Sequence, residues 1–219
     1  DYCEDIQFIC LSDWHKNNIK TNFIKEGIKL KNKIKIIHHL IDSPKVKDYL
    51  MNGVDKNKIC FFSSHFKGLE NSYKLFKHIQ NDIPELKFYM GTPAYSNAKL
   101  NFNDESVIDL GGLPREKVLY HLSTSFCLFG INFSFPETFG CIFKEANLVG
   151  TPVLTTSIGA TQEILTPEQV VKPILYSADL KGEQEFIKRF KSWYYDNKRP
   201  IIQLENKFKK ETIIGQWIK

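Results

Sequence analysis

The sequence predicts an α/β fold, a Rossmann-like parallel sheet with helices on both faces. Three observations predict it. Short apolar runs alternate with helical stretches of about ten residues or more. Several runs, such as "FCLFGI" at 126–131, are apolar throughout, as strands covered on both sides must be. With 219 residues, 42% of them apolar and 13% aromatic, the chain has enough material to fill such a core.

The elements follow in order. The run "IQFICLS" (Ile6 to Ser12) reads as a strand, Ser12-Asp13 as a helix start, and a lysine-rich helix ends near Gly27 before a second strand, "KIKIIHHL". That is one βαβ unit. Residues 41–57 mix Pro44, Gly53 and many charges, the composition of a linker. From Lys58 the rhythm resumes with strand "KICFFSS", a helix from Leu69 to Asp82, strands "ELKFYMG" and "SVIDLGG", a helix from Pro114 to Ser123 and strand "SFCLFGI". A helix from Phe139 to Val149, strand "PVLTTS", a short helix near Thr161, strand "VVKPILY" and two basic amphipathic helices complete the chain. The expected organisation is a small βα piece and linker at 1–57, a Rossmann-like domain at 58–180 and C-terminal helices at 181–219. The first piece is too small to bury a core alone, so further sequence is expected before Asp1.

The net charge of +5 is concentrated at the two ends. Lysine outnumbers arginine 27 to 3 (30 basic residues less Arg115, Arg189 and Arg199), a poor match to nucleic-acid surfaces, where the arginine fork is favoured. Solvated helix faces are the simpler reading, and no nucleic-acid partner is expected. No apolar run approaches the length of a membrane span and the first residues lack the pattern of a signal peptide, so a soluble cytoplasmic protein is expected. The five cysteines show no Cys-x-x-Cys pair and are expected to be buried, reduced thiols.

In an open α/β sheet, ligands bind where strands end and helices begin. Two loops of that kind stand out. In "SSHFKGL", Ser63, Ser64, Lys67 and Gly68 lead into a helix, an arrangement able to hold an anion, although a lysine there is more often a plain surface residue. In "FSFPETFGCIFKEANLVGTPVL", a helix begins just after Pro136-Glu137, and Glu145 lies eight positions after Glu137. Taken alone, the acidic pair fits a cap and a solvated helix face equally well. Ile142, Phe143, Ala146 and Val149 mark the buried face without settling where Glu145 points. His38-His39, at a strand end, read mainly as a partly buried pair.

The Glu-x7-Glu spacing, followed by Ala and Gly-x-Pro-Val, resembles the signature of retaining GT-B glycosyltransferases of family 4. "SSHFKGL", "IDLGGLPREKVLYHLSTS" and "SIGATQEIL" resemble its other loops, in the same order, over about residues 6–175. The resemblance implies the C-terminal, donor-binding domain of such an enzyme, preceded by the last βα unit of its N-terminal domain. It implies that Glu145 accepts hydrogen bonds from the nucleotide ribose and that Glu137 faces the transferred sugar. The amides of Thr138, Phe139 and Gly140 would hold the diphosphate, Lys67 would neutralise the leaving phosphate, and Gly112 and Leu113 would line the base. Catalysis would need neither metal nor cofactor, with a nucleotide-diphosphate sugar as donor substrate. The acceptor is open among carbohydrate, lipid and protein, the lipid case bringing contact with a membrane surface. In the family the last helix crosses back to the N-terminal domain, so Ile213, Ile214 and Trp217 are expected to be partly exposed. Two departures stand out: Ser63, Ser64 and His65 replace an arginine many members carry, and "IGA" at 158–160 replaces a Gly-Gly. The alternatives are a sugar-nucleotide epimerase on the same architecture, against which the Glu-x7-Glu spacing speaks, and a non-catalytic binding module.

Overall fold

The computed structural model describes residues 6–30, 33–92, 102–132, 134–172, 181–202 and 205–218. Cys3, most of the expected strand at 170–176 and the boundary at residue 180 lie outside them or run beyond them. Two parallel strands, β1 (Phe8–Cys10) and β2 (Ile34–Ile36), flank helix α1 (Asp13–Lys25). Ser12 caps α1 as expected, its hydroxyl accepting from the His15 amide at 3.0 Å. The segment at 41–57 carries a short helix, α2 (Val46–Leu50), that composition alone did not reveal.

Among the described residues the main sheet has six strands: β3 (Asp55–Phe62), β4 (Lys87–Gly91), β5 (Val107–Asp109), β6 (Ser125–Gly130), β7 (Val153–Thr156) and β8 (Val170–Val171). All pair in parallel, in the order β5-β4-β3-β6-β7-β8. The helices are α3 (Leu69–Gln80), α4 (Arg115–Ser123), α5 (Cys141–Leu148), α6 (Thr161–Ile164), α7 (Lys181–Tyr195) and α8 (Lys210–Ile218). Helix α5 starts two residues later than expected, because Phe139 and Gly140 form the turn into it and Gly140 is its cap.

Alternation along β3 decides which helix covers which face. Ile59 and Phe61 face a cluster with Leu75, Phe76 and Ile79 of α3 and Phe186, Phe190 and Trp193 of α7. Cys60 and Phe62 face the other way, toward Leu119 and Leu122 of α4, Phe143 and Ala146 of α5, and Ile41, Tyr49 and Phe208. The helix after β3 therefore lies on one face and the helix after β6 on the other. Each fully buried Phe or Leu contributes about 1.5–3 kcal/mol, and these clusters hold the sheet between its layers.

Some expectations need correcting. Cys10, Cys60 and Cys127 are buried thiols, but Cys141 is exposed, because the first turn of α5 faces an open crevice. Ile214 and Trp217 are exposed as expected, whereas Ile213 is fully buried. The apolar-face reading of α5 passed over Lys144, which is 2% exposed, its ammonium donating to the Ile164 carbonyl at 2.9 Å and lying 3.8 Å from the Phe208 ring centroid. Burial lowers its pKa to about 8.

The replacement of Gly-Gly by "IGA" does not prevent a close approach. Gly159 alone makes it: at φ +66 it pairs as a parallel bridge with Glu137, and a Cβ there would lie 2.3 Å from the Glu137 carbonyl oxygen. Gly159→Ala is expected to destabilise the protein by about 2 kcal/mol or more, from left-handed strain plus the clash, measured by urea unfolding. Lys144 generates a second expectation. Its folded pKa is below its unfolded value, so the unfolded chain holds more protons between pH 8 and 10.5, and stability rises with pH through that window. Lys144→Met should gain roughly 1–3 kcal/mol near pH 7, an advantage that shrinks toward pH 10, as read from urea unfolding of both proteins across that range. A pH-independent difference would show that Lys144 is not titrating in the fold.

Candidate functional site

Strands β3 and β6 are neighbours, yet their following helices go to opposite faces, so a crevice opens beyond their carboxyl ends. Both sequence-selected loops line it. On the β3 side a 3-10 turn, His65–Lys67, leads to Gly68 at φ +96, whose missing side chain lets the loop pass directly against the Ile131 carbonyl, 1.6 Å from where a Cβ would be. This close passage brings the loop against the end of β6. Lys67 Nζ then reaches Glu137 Oε1 at 2.9 Å across the crevice, with the two side chains 34% and 15% exposed. A pair this accessible is worth about 1 kcal/mol or less, so a ligand can break it.

The β6 side is built by Asn132. Its Oδ1 accepts from the Ser134 and Phe135 amides at 3.0 Å each, and its Nδ2 donates to the Phe135 carbonyl, an Asx-type turn that delivers Pro136-Glu137. The Glu137 carbonyl then accepts from the Ala160 amide at 2.8 Å. Among the described residues, the amides of Thr138, Phe139 and Gly140 donate no hydrogen bond. They precede the positive end of α5, the arrangement that holds anions. Ser63, Lys67, Asn132 and Glu137 together border a gap of only about 10 Å³, while Ser64 is buried and does not line it.

Glu145, one turn into α5, points to the crevice. Its Oε1 accepts from Arg115 Nε at 2.6 Å, and Arg115 Nη2 donates to the Asp42 carbonyl at 2.9 Å. A cavity of about 260 Å³ runs from Glu145 and Arg115 past Leu113 and Gly111 to Thr92 and Phe62. Leu113 and Gly111 line this cavity, while Gly112 is exposed beside it. A second cavity, about 270 Å³, lies between Glu145, Arg115, Cys141 and residues 39–42. Partial burial, then Glu145 and Glu137, raise the Cys141 thiol above its ordinary value, so it stays neutral beside the crevice. The hydrogen bond from Lys210 holds the Asp42 carboxyl below its ordinary value.

The N-terminal unit docks onto the same turn. Ser12 Oγ donates to the Thr138 carbonyl at 2.7 Å, and both Glu163 oxygens accept from the first amides of α1, Asp13 at 2.8 Å and Trp14 at 2.6 Å. Helix α1 buries no residue, so this carboxylate cap is its main tie to the sheet domain. His38 and His39 pack on the Phe139 ring, at 5.7 and 5.5 Å between centroids; His38 is partly buried, but His39 is exposed, which corrects the partly buried pair the sequence suggested. Lys35 Nζ donates to the Gln216 carbonyl at 2.6 Å, joining the unit to α8. Sequence reasoning missed Arg115, Asn132 and Glu163 as site builders. Arg115 had one usable signal, its place at the start of a helix directly after a strand-end loop. Among the described residues no three His, Cys, Asp or Glu side chains gather as metal ligands, and no helix is long and apolar enough to cross a membrane.

No protein family and no curated protein matches this chain in sequence. Solved structures do match it in fold. The pneumococcal O-GlcNAc transferase GtfA, determined with UDP and GlcNAc, superimposes with a TM-score of 0.70 at 17% identity, over 97% of this chain and 44% of that one. TarM gives 0.62 at 14% identity over 96% and 42%. WaaG, a glycosyltransferase of lipopolysaccharide biosynthesis, gives 0.54 at 13% over 90% and 60%. This chain therefore spans about half the length of the structures it resembles. At these identities the likeness establishes the fold: a six-stranded parallel sheet flanked by helices, as in GT-B glycosyltransferases.

Proposed function

We propose that the chain is the donor-binding part of a retaining, metal-independent glycosyltransferase related to family 4, which moves a sugar from a nucleotide-diphosphate donor to an acceptor. The single observation that carries this reading is the convergence, in one crevice, of the Lys67–Glu137 pair, three amides at the start of α5 that donate no hydrogen bond among the described residues, and Glu145 on the wall of the adjoining cavity. Such a row offers a base and ribose cavity, a diphosphate cradle and a sugar-facing carboxylate in the order a nucleotide sugar presents its parts. The fold likeness to GtfA, a structure holding UDP and GlcNAc, supports the same reading.

In this proposal Lys67 turns from Glu137 to the diphosphate, and Glu137 turns to the sugar hydroxyls. The bond from the anomeric carbon to the phosphate oxygen breaks, and the bond to the acceptor oxygen forms on the same face. The acceptor's proton passes to the departing diphosphate. Lys67 and the amides of Thr138, Phe139 and Gly140 stabilise the charge that develops there, the work a divalent cation does in other transferases. Glu145 and Leu113 hold the ribose and the base.

Calorimetry tests the assignment. Glu145→Ala should weaken nucleoside diphosphate binding about tenfold or more, since charge-assisted hydrogen bonds to ribose contribute roughly 1.5–3 kcal/mol each. Glu137→Ala should leave bare nucleoside diphosphate unchanged or tighter, because Lys67 is freed, while weakening the intact sugar donor. Equal losses of both ligands in both variants would contradict the roles. Lys67→Ala should cost diphosphates more than nucleosides, by a margin that shrinks as salt rises. A loss independent of salt would instead mean that the 63–68 loop had been disrupted.

A further inference from the structure

We propose that Arg115 is the positioning residue of the nucleotide site: it fixes the Glu145 carboxylate on the cavity wall and thereby sets how strongly ribose is preferred to deoxyribose. This rests on the donor-binding reading above. Glu145 lies on a helix surface with its side chain 15% exposed, and the partner that holds it is Arg115 Nε at 2.6 Å. Arg115 is itself held from the other side, by its Nη2 bond to the Asp42 carbonyl at 2.9 Å. The guanidinium is planar and its nitrogens keep a fixed angle, so one side chain tied at two points fixes the position of a third group. Arg115 occupies Oε1 and leaves Oε2 and a remaining lone pair of Oε1 for vicinal hydroxyls. Both cavities touch Arg115 and Glu145, so this pair forms the wall between them.

The tether also ties the site to the rest of the chain. Asp42, whose carbonyl anchors Arg115, accepts a 2.9 Å hydrogen bond from Lys210 of α8 through its side chain. The linker and the C-terminal helix are therefore connected to Glu145 through Arg115. Lysine in its place has a single charged centre and cannot bond the carboxylate and the linker carbonyl in the same geometry. Arg115 is half exposed and belongs to neither core cluster, so its removal leaves the sheet and its packing intact.

Calorimetry with the four common ribonucleoside diphosphates and their 2′-deoxy counterparts, on the whole chain, tests this. The unmodified protein is expected to bind its preferred ribonucleoside diphosphate about tenfold or more tightly than the deoxy form. Arg115→Ala should lower affinity for the ribo form about tenfold and leave the deoxy form within about threefold, so that the preference collapses. Arg115→Lys should behave like Arg115→Ala. A preference retained in Arg115→Ala overturns the proposal, because Glu145 then needs no positioner. Equal losses of ribo and deoxy forms overturn it too, placing Arg115 on the phosphates or in the fold, and tighter ribo binding in Arg115→Ala would make it a competitor for Glu145. If the unmodified protein binds none of the eight ligands, the donor-binding reading itself fails, and this proposal with it.

Discussion

The structure depends on one topological constraint, the divergence of the chain after two adjacent parallel strands. Strands β3 and β6 pair side by side at the centre of the sheet, and the apolar residues that alternate along them bury α3 on one face and α5 on the other. Both connections must leave the same end of the sheet in opposite directions. The gap that results is lined by backbone that has just left a strand and has not yet closed a helix, so its amides face outward. Every proposed function of the site uses that gap. Lys67 comes from one side, Glu137 and the α5 start from the other, and Glu145 stands one turn further along.

Close backbone contacts hold the gap in shape. Gly68 passes against Ile131, and Gly159 passes against Glu137, at distances no side chain would allow. They bring the loop after β3 against the end of β6 and the β7 loop against the β6 loop, beside the crevice that Lys67 and Glu137 span. The N-terminal unit is fixed to the same base through Ser12 and Glu163, bonds that end on the Thr138 turn and on α6. The elements expected to belong to a different domain thus converge on the loop before α5, where a change in their position would be felt at Thr138 and Phe139.

The sequence made the sheet legible because its information is local. Period-two alternation, all-apolar runs and cap residues such as Ser12 depend on neighbours a few positions away. Spacing and strand-end position singled out Glu137, Glu145 and Lys67 without settling where they point, and the structure brings all three to the crevice. What could not be read were the partners. Arg115 meets Glu145 across 30 residues, and Glu163 caps a helix 150 residues earlier, pairings that exist only once the sheet order is set. Lys144 escaped for a related reason: a lysine at helical spacing reads as solvated, and its neighbours, the Ile164 carbonyl and the Phe208 ring, come from distant segments. Gly111 borders the cavity beside Leu113, and Gly112 is exposed next to it.

Amide hydrogen exchange, with and without a saturating ribonucleoside diphosphate, is the most direct measurement of the central claim that the gap between the β3 and β6 loops is a nucleotide-diphosphate site. A ligand held there should slow exchange at the amides of 138–142, at the start of α5, and at the 63–68 loop that faces them, with smaller changes elsewhere. Protection confined to another region, such as the cavity between Pro167 and Arg189, with no change at 138–142, would contradict it.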